Sequence, residues 1–407
     1  MKLLIVSEVF YPENFIINDL AAELHNRGHQ VSVVTLQPSY PSGKVFSGYT
    51  NDKYSEEDWN GIKIYRFNTI EGYKTNKFLK IRKYLHFVNT GKRIVGRKCS
   101  DYDVIFVCQV GPLTVALPAI YAKSKHKIPV IIWTCDIWPD AVYMYGIPQV
   151  PPITWLVNHI IKKVYRNSDK ILVSSKNFTD TIKRYAPDKE IVYAPNWQMA
   201  CEETTSAVRL SNDVINFTFT GNISKAQNLV NVIKGFASAN LDNARLNIVG
   251  DGSYKDILLK EVDDNKIQNV IFYERQPYSE ISDILSQNDF LILPLVSNSG
   301  IDKTEPFKIQ SYLNSGKPIL GILKGAGREI IEENGLGICA DPDDIEDIAH
   351  GFKQILKLNA EDKSLIAEKA KMVLSTRYDR ILTINQIETQ LLNIINLSFA
   401  SESGGQL

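Results

Sequence analysis

The sequence has no run of about 18 uncharged apolar residues, the length a spanning helix needs. Its N-terminus, MKLLIVSEVFYPE, carries one Lys and a short apolar stretch that meets acid and Pro instead of a small-residue cleavage site. That stretch reads as a buried first strand, not a signal peptide. The five cysteines (Cys99, Cys108, Cys135, Cys201, Cys339) are odd in number and form no C-x-x-C. A disulfide framework and a zinc site are therefore not expected, and a reducing cytosolic setting is. The six histidines follow no metal-ligand spacing, and His29 reads as structural. No acid pair stands out as a Mg²⁺–diphosphate clamp: Asp263-Asp264 and Asp343-Asp344 read as solvated charges. No glycines sit where a G-x-G-x-x-G fingerprint needs them after the first strand. Net charge is zero, yet residues 1–198 hold 26 Lys and Arg against 17 Asp and Glu, and residues 199–407 hold 20 against 29. A basic half beside an acidic half suggests that one half meets an anionic surface, or that the halves attract each other.

What is present is an alternation of strand and helix, which predicts parallel sheets covered on both faces. Strand-like runs lie at Leu3–Ser7, Val31–Leu36, Val104–Val107, Val130–Trp133 and Ile171–Val173. Helical spacing lies at Ile16–Asn26, Leu113–Lys125 and Trp155–Arg166. After residue 200 the pattern restarts, with strands at Ile215–Thr220, Leu246–Val249, Val270–Tyr273, Phe290–Leu295 and Pro318–Gly321. Three further helical stretches are expected to run to about residue 398, followed by a polar tail, 399–407, that reads as disordered. The joint falls at Ala194–Trp197. The expected domains are 1–198, joined by a last helix at 376–398, and 199–375. Such folds bind ligands at strand C-termini.

Three segments sit at such ends. Thr220 to Gln227 places Gly221 for close backbone approach and Lys225 for charge at a diphosphate, unless Lys225 is an ordinary surface lysine. Thr304 to Pro318 places Pro306 at the start of a helix capped by Thr304 or Glu305, with Lys308 adding charge and Gly316 ending the helix. Glu305 is positioned to bond donor hydroxyls. Trp133 to Asp140 sets Asp136 beside two Trp residues, an arrangement that suits a sugar; a helix cap is the alternative for Asp136. Finally, residues 73–98 carry nine Lys and Arg and no acid, with Phe78, Ile81, Leu85 and Val88 at helical spacing. This segment reads as an amphipathic helix docked on its own domain with a basic rim toward lipid.

Taken together, FYPEN, RGHQVSVVT, DIWPD, APNW, GNISKAQNL, VGDG and PFKIQSYLNSGKP resemble the family-4 retaining glycosyltransferases of GT-B fold, over nearly the whole chain. The subgroup most resembled works in O-antigen and capsule clusters and includes N-acetyl-L-fucosamine transferases. The resemblance implies two Rossmann-like domains facing across a cleft, with the last helix crossing back to the first. It implies donor binding by the second domain, acceptor binding by the first at the inner membrane face, and no metal or other cofactor. Many members carry a His where Cys135-Asp136 stands here, and a Glu where Ser311 follows Gln310.

The expected catalytic groups are Asp136, Lys225 and Glu305. The expected donor site is Gly221, Asn222, Lys225, Gln227, Gly250 and Arg275, with Glu305, Pro306, Lys308, Gln310 and Ser311. The acceptor side is Glu13, Asn14, Phe15 and Trp138. The expected reaction moves an N-acetylated (deoxy)hexose from a UDP-sugar to a polyprenyl-diphosphate-linked saccharide; no nucleic acid is involved. A UDP-sugar 2-epimerase of the same fold, an exported solute-binding protein and a non-catalytic membrane scaffold are the alternatives. The second lacks an export signal, and the first needs in-cleft acid and base residues.

Overall fold

The computed structural model describes residues 1–144, 147–198, 204–298 and 300–403. Cys201 and the end of the polar tail, 404–407, lie outside the described residues. The chain forms two compact units, one of Met1–Asn196 with the chain from Arg380 onward, the other Trp197–Asp379.

The first unit runs β1 (Lys2–Ser7), α1 (Ile16–Asn26), β2 (Gln30–Leu36), β3 (Ser55–Trp59), β4 (Ile62–Phe67), α2 (Lys77–Lys98), β5 (Val104–Gln109), α3 (Leu117–His126), β6 (Val130–Thr134), α4 (Asp140–Met144), α5 (Pro151–Asn167), β7 (Lys170–Val173), α6 (Thr179–Lys183) and β8 (Ile191–Tyr193). Its sheet has the order β3-β4-β2-β1-β5-β6-β7-β8, with only β3 antiparallel to its neighbour. Central strands are apolar throughout because helices cover both faces; Ile5 lies opposite Val33 on one side and Phe106 on the other. The order turns back at β1 and β5, so the C-terminal ends of these two strands form the unit's switch point.

The second unit runs β9 (Ile215–Thr220), α7 (Leu229–Ala239), β10 (Ala244–Val249), α8 (Lys255–Asp264), β11 (Val270–Tyr273), α9 (Ile281–Ser286), β12 (Phe290–Pro294), α10 (Lys308–Ser315), β13 (Ile319–Ile322), α11 (Ala326–Glu333), β14 (Gly337–Ala340), α12 (Ile345–Ile355) and α13 (Ala360–Arg377). Its all-parallel sheet has the order β11-β10-β9-β12-β13-β14, with the switch between β9 and β12. Phe217, Phe236, Phe290 and Phe352 pack around β9 with ring centroids 5.0–6.2 Å apart, pinning α7 and α12 to one face. Asn359 and Asp362 form a reciprocal capping box at the start of α13.

The last helix, α14 (Arg380–Ser403), belongs to the first unit. Arg380 grips Asp19 through two 2.8 Å bonds and reaches Glu23 at 2.9 Å. His29 and Arg27 both bind Glu388 from the end of α1 and the turn after it.

Several elements differ from the sequence expectation. β3 and β4 form a hairpin closed by Asn60-Gly61, both at positive φ. β8 and β14 are further strands, and four helices, not three, follow β13. Helix α14 continues to Ser403, five residues past its expected end.

Candidate active site

In the second unit the loops after β9 and β10 press backbone on backbone. Gly250 sits at φ 151°, and a Cβ there would lie 1.9 Å from the Gly221 carbonyl oxygen. A Cβ on Gly252 would lie 2.1 Å from that of Ile223. Only glycine permits this approach. The result is a pocket of about 340 Å³ lined by Gly221, Asn222, Val249, Gly250, Arg275, Gln276, Tyr278 and Ile281. Arg275 is exposed at its mouth, a charged group suited to phosphate.

Lys308, the first residue of α10, crosses the same loop. Its Cε lies 2.5 Å from where a Gly221 Cβ would stand, and its ammonium sits 3.9 Å from the Phe219 ring centroid. Nζ donates to Gln227 Oε1. Burial against these neutral neighbours pushes the Lys308 pKa down to about 7. One turn later, Tyr312 fixes the helix that carries Lys308: its hydroxyl accepts from Thr220 N at 3.2 Å and donates to Ile292 O at 3.1 Å.

The expected donor residues thus divide. Gly221, Asn222, Gln227, Gly250, Arg275 and Lys308 come together. Lys225, on the short turn that also carries Gln227, has an exposed side chain, so the cation drawn across Gly221 is Lys308. Glu305 faces inward: Arg377 Nη2 donates to Oε1 and the Tyr378 hydroxyl to Oε2, each at 2.8 Å. Its carboxylate ties the α10 entry to the end of α13, which corrects its placement on donor hydroxyls and as a cap. Pro306 is not the first helical residue; α10 starts at Lys308, after an N-cap at Phe307 with no side-chain bond. Gln310 is buried in α10, and Ser311 lines a separate hollow of about 10 Å³ with Gln198 and Asn314.

In the first unit Asp136 follows β6, partly buried, and desolvation pushes its carboxyl up to about 7 against the pull of Lys80. Trp138 is 9% exposed and belongs to the hydrophobic core, as does fully buried Trp133, whose Nε1 donates to Ala194 O at 2.9 Å; neither offers a ring face to a sugar. Glu13 is also a correction. It is 4% exposed and accepts from the backbone N–H of Ser39, Tyr40 and Phe10, at 2.8, 2.6 and 3.3 Å, stapling two loops. Burial raises its pKa against those bonds. Asn14 is exposed, and Phe15 caps α1 with its ring 5.2 Å from Tyr40.

Sequence reasoning missed Glu8, Lys80 and Lys83. Glu8 follows β1 at the switch point, and Lys83 of α2 is buried against it, Nζ to Oε1 2.5 Å. The spacing gave a signal, since Lys80 and Lys83 lie beside the inward positions Phe87 and Val88. Of the expected apolar stripe, only Val88 packs inward; Phe78, Ile81 and Leu85 are 72%, 48% and 60% exposed.

Comparison with known proteins follows this division. Residues 14–197 match the model of the glycosyl transferase 4-like domain, and residues 202–372 that of glycosyl transferases group 1. The probable glycosyltransferase WbjE of Pseudomonas aeruginosa is 23% identical over 62% of this chain and 65% of its own length. The putative colanic acid biosynthesis glycosyl transferase WcaI of Escherichia coli is 21% identical over 88% of this chain and 93% of its own. Among solved structures, sucrose-phosphate synthase from Thermosynechococcus elongatus superposes with a TM-score of 0.74 at 11% identity, covering 98% of this chain and 100% of the other. Anabaena HepE, solved in complex with UDP, gives 0.67 at 12%, covering 97% and 100%. With both units matched in sequence and the whole chain in fold, the protein belongs to the group 1 glycosyltransferases of GT-B fold.

Proposed function

We propose that the chain transfers an N-acetylated (deoxy)hexose, N-acetyl-L-fucosamine among the candidates, from UDP to a polyprenyl-diphosphate-linked saccharide, with retention of configuration and without a metal. The observation that carries this reading is Lys308, drawn over Gly221 beside a pocket with Arg275 at its mouth. A lysine held near pKa 7 by burial gains its full charge when a diphosphate arrives, and that charge then opposes the negative charge left by the departing sugar. Two protein cations at the diphosphate take the place a metal would fill. UDP as the nucleotide is supported by HepE, solved in complex with it on this fold, and a polysaccharide pathway by WcaI, which is named for colanic acid biosynthesis.

Placement at the inner membrane face belongs to the same proposal. Phe78, Ile81 and Leu85 on α2 are exposed among Lys77 and Arg82, and Trp155 and Leu156 on α5 are exposed near Lys162 and Lys163. Apolar side chains among cations suit an anionic lipid surface. Among the described residues no helix is long and apolar enough to cross a membrane.

The test is thermal stabilisation by UDP, GDP, dTDP, ADP and NAD at 1 mM with EDTA present. A ligand at a hundred times its Kd adds about 2.7 kcal/mol. A shift with UDP and none with the others is expected; no shift with any nucleoside diphosphate overturns the donor site.

A further inference from the structure

We propose that the helical layer on one face of the first sheet carries a lipid headgroup site, a hollow over α3 between α2 and α5 whose Lys92, Lys127 and Lys163 take the phosphate of an anionic phospholipid. The lipid as occupant rests on the membrane placement proposed above; the hollow itself rests on geometry.

The hollow follows from how three helices of unequal length pack. α2, α3 and α5 lead in the same direction across the sheet, to β5, β6 and β7, and bury Val95, Ala119 and Ile161 in one core. α3 has 10 residues, against 22 in α2 and 17 in α5. Gly91 draws α3 against α2: a Cβ there would meet Pro118 Cγ at 2.8 Å. With α3 short and held on the α2 side, a hollow of about 540 Å³ stays open beside α5. Leu117, Ile120 and Tyr121 of α3 and Ile160 of α5 give it an apolar floor.

Lys92, Lys127 and Lys163 line the same hollow, and among the described residues no carboxylate does. Lys123, also in the lining, is taken up by Asp169, whose other oxygen accepts from Val130 N at 2.8 Å. Lys92 Nζ lies 5.8 Å from the Tyr121 ring centroid. Neither it nor Lys127 nor Lys163 has an ion-pair partner among the described residues. A helix C-terminus favours lysines, which accounts for Lys123 and Lys127 at the end of α3. Lys92 and Lys163 stand a turn or more before the ends of their helices. A bare phosphate gains nothing from the apolar floor, and the C-terminal ends of α3 and α5 oppose it. An amphiphile uses both parts. Its phosphate meets the ammonium groups as point charges, and its glycerol and upper acyl carbons cover the floor. The hollow also adjoins the exposed apolar side chains. Lys92 continues the helical spacing of Phe78, Ile81 and Leu85, and Trp155 stacks at 5.5 Å on His159, which lines the hollow.

The test is calorimetric titration of the full chain with dihexanoyl phosphatidylglycerol below its micelle concentration, with dihexanoyl phosphatidylcholine as the control without net charge. The anionic lipid is expected to bind at least tenfold tighter than the control, and the Lys127→Met/Lys163→Met variant to lose at least tenfold of that affinity. Both lysines are exposed, so the variant is expected to melt with the wild type and to keep its UDP affinity within about twofold. No binding of the anionic lipid, equal binding of the two lipids, or equal affinity in the variant overturns the proposal. Inorganic phosphate bound as tightly as the anionic lipid also overturns it, by showing that the apolar floor adds nothing. Vesicles separate this site from the membrane placement. If the wild type fails to bind vesicles rich in anionic lipid while it still binds the short-chain one, the placement falls and the site stands.

Discussion

Lys308 is a residue whose role depends on its surroundings more than on its type. A lysine with a pKa near 7 is largely neutral at pH 8, and a diphosphate beside it restores the proton. UDP binding at pH 8 is therefore expected to take up close to one proton, read as the dependence of calorimetric enthalpy on buffer ionisation. The uptake should vanish in Lys308→Met. The sign also holds without ligand. A lysine whose folded pKa is depressed leaves the folded state with fewer protons than the unfolded one between about pH 7 and its ordinary value, so its burial penalty fades as pH rises through that window. Glu305 makes the opposite case, a carboxylate spent on structure. Glu305→Gln weakens the bonds to Arg377 and Tyr378 and is expected to cost about 1.5–3 kcal/mol in urea unfolding. Unchanged stability with lost turnover would return Glu305 to the chemistry.

At the scale of elements, the two loops after β9 and β10 hold the pocket open by having no side chain where they touch. Gly250→Ala would drive a Cβ into the Gly221 carbonyl and is expected to cost about 3 kcal/mol or more. That corresponds to a fall in Tm of roughly 6–12 °C for a unit of this size. The apolar runs made the central strands of both sheets legible, because helices on both faces demand continuous hydrophobicity. The hairpin was not, since β3 is SEEDW, an edge strand with no apolar run; its Asn60-Gly61 turn was the available signal. The candidate site was half legible. Glycines at strand ends and a lysine in each loop can be read in order along the chain. Which lysine reaches Gly221 cannot, because that depends on α10 packing against β9 across more than eighty positions, through Tyr312 and Thr220. Nor do residue types reveal that Glu13 and Trp138 are consumed by their own fold.

For the whole molecule, the second unit brings Lys308 and Arg275 to the end of its own sheet, whereas in the first unit Lys83 is paired with Glu8 just after β1. The exposed apolar residues of α2 and α5 add a surface of a third kind. Replacing Phe78, Leu85 and Trp155 together with Ser is expected to reduce binding to vesicles rich in anionic lipid at least tenfold, while the melting shift with UDP stays unchanged. Equal vesicle binding would remove the membrane proposal and leave the enzyme standing. The central claim, that the second unit holds a UDP-sugar by its diphosphate on Lys308 without a metal, is tested most directly by titrating UDP into the wild type and Lys308→Met with EDTA present. Wild-type binding is expected to survive EDTA, and the affinity of the variant to be at least tenfold weaker, about 1.4 kcal/mol. Equal affinity in the two proteins, or binding that EDTA abolishes, would contradict it.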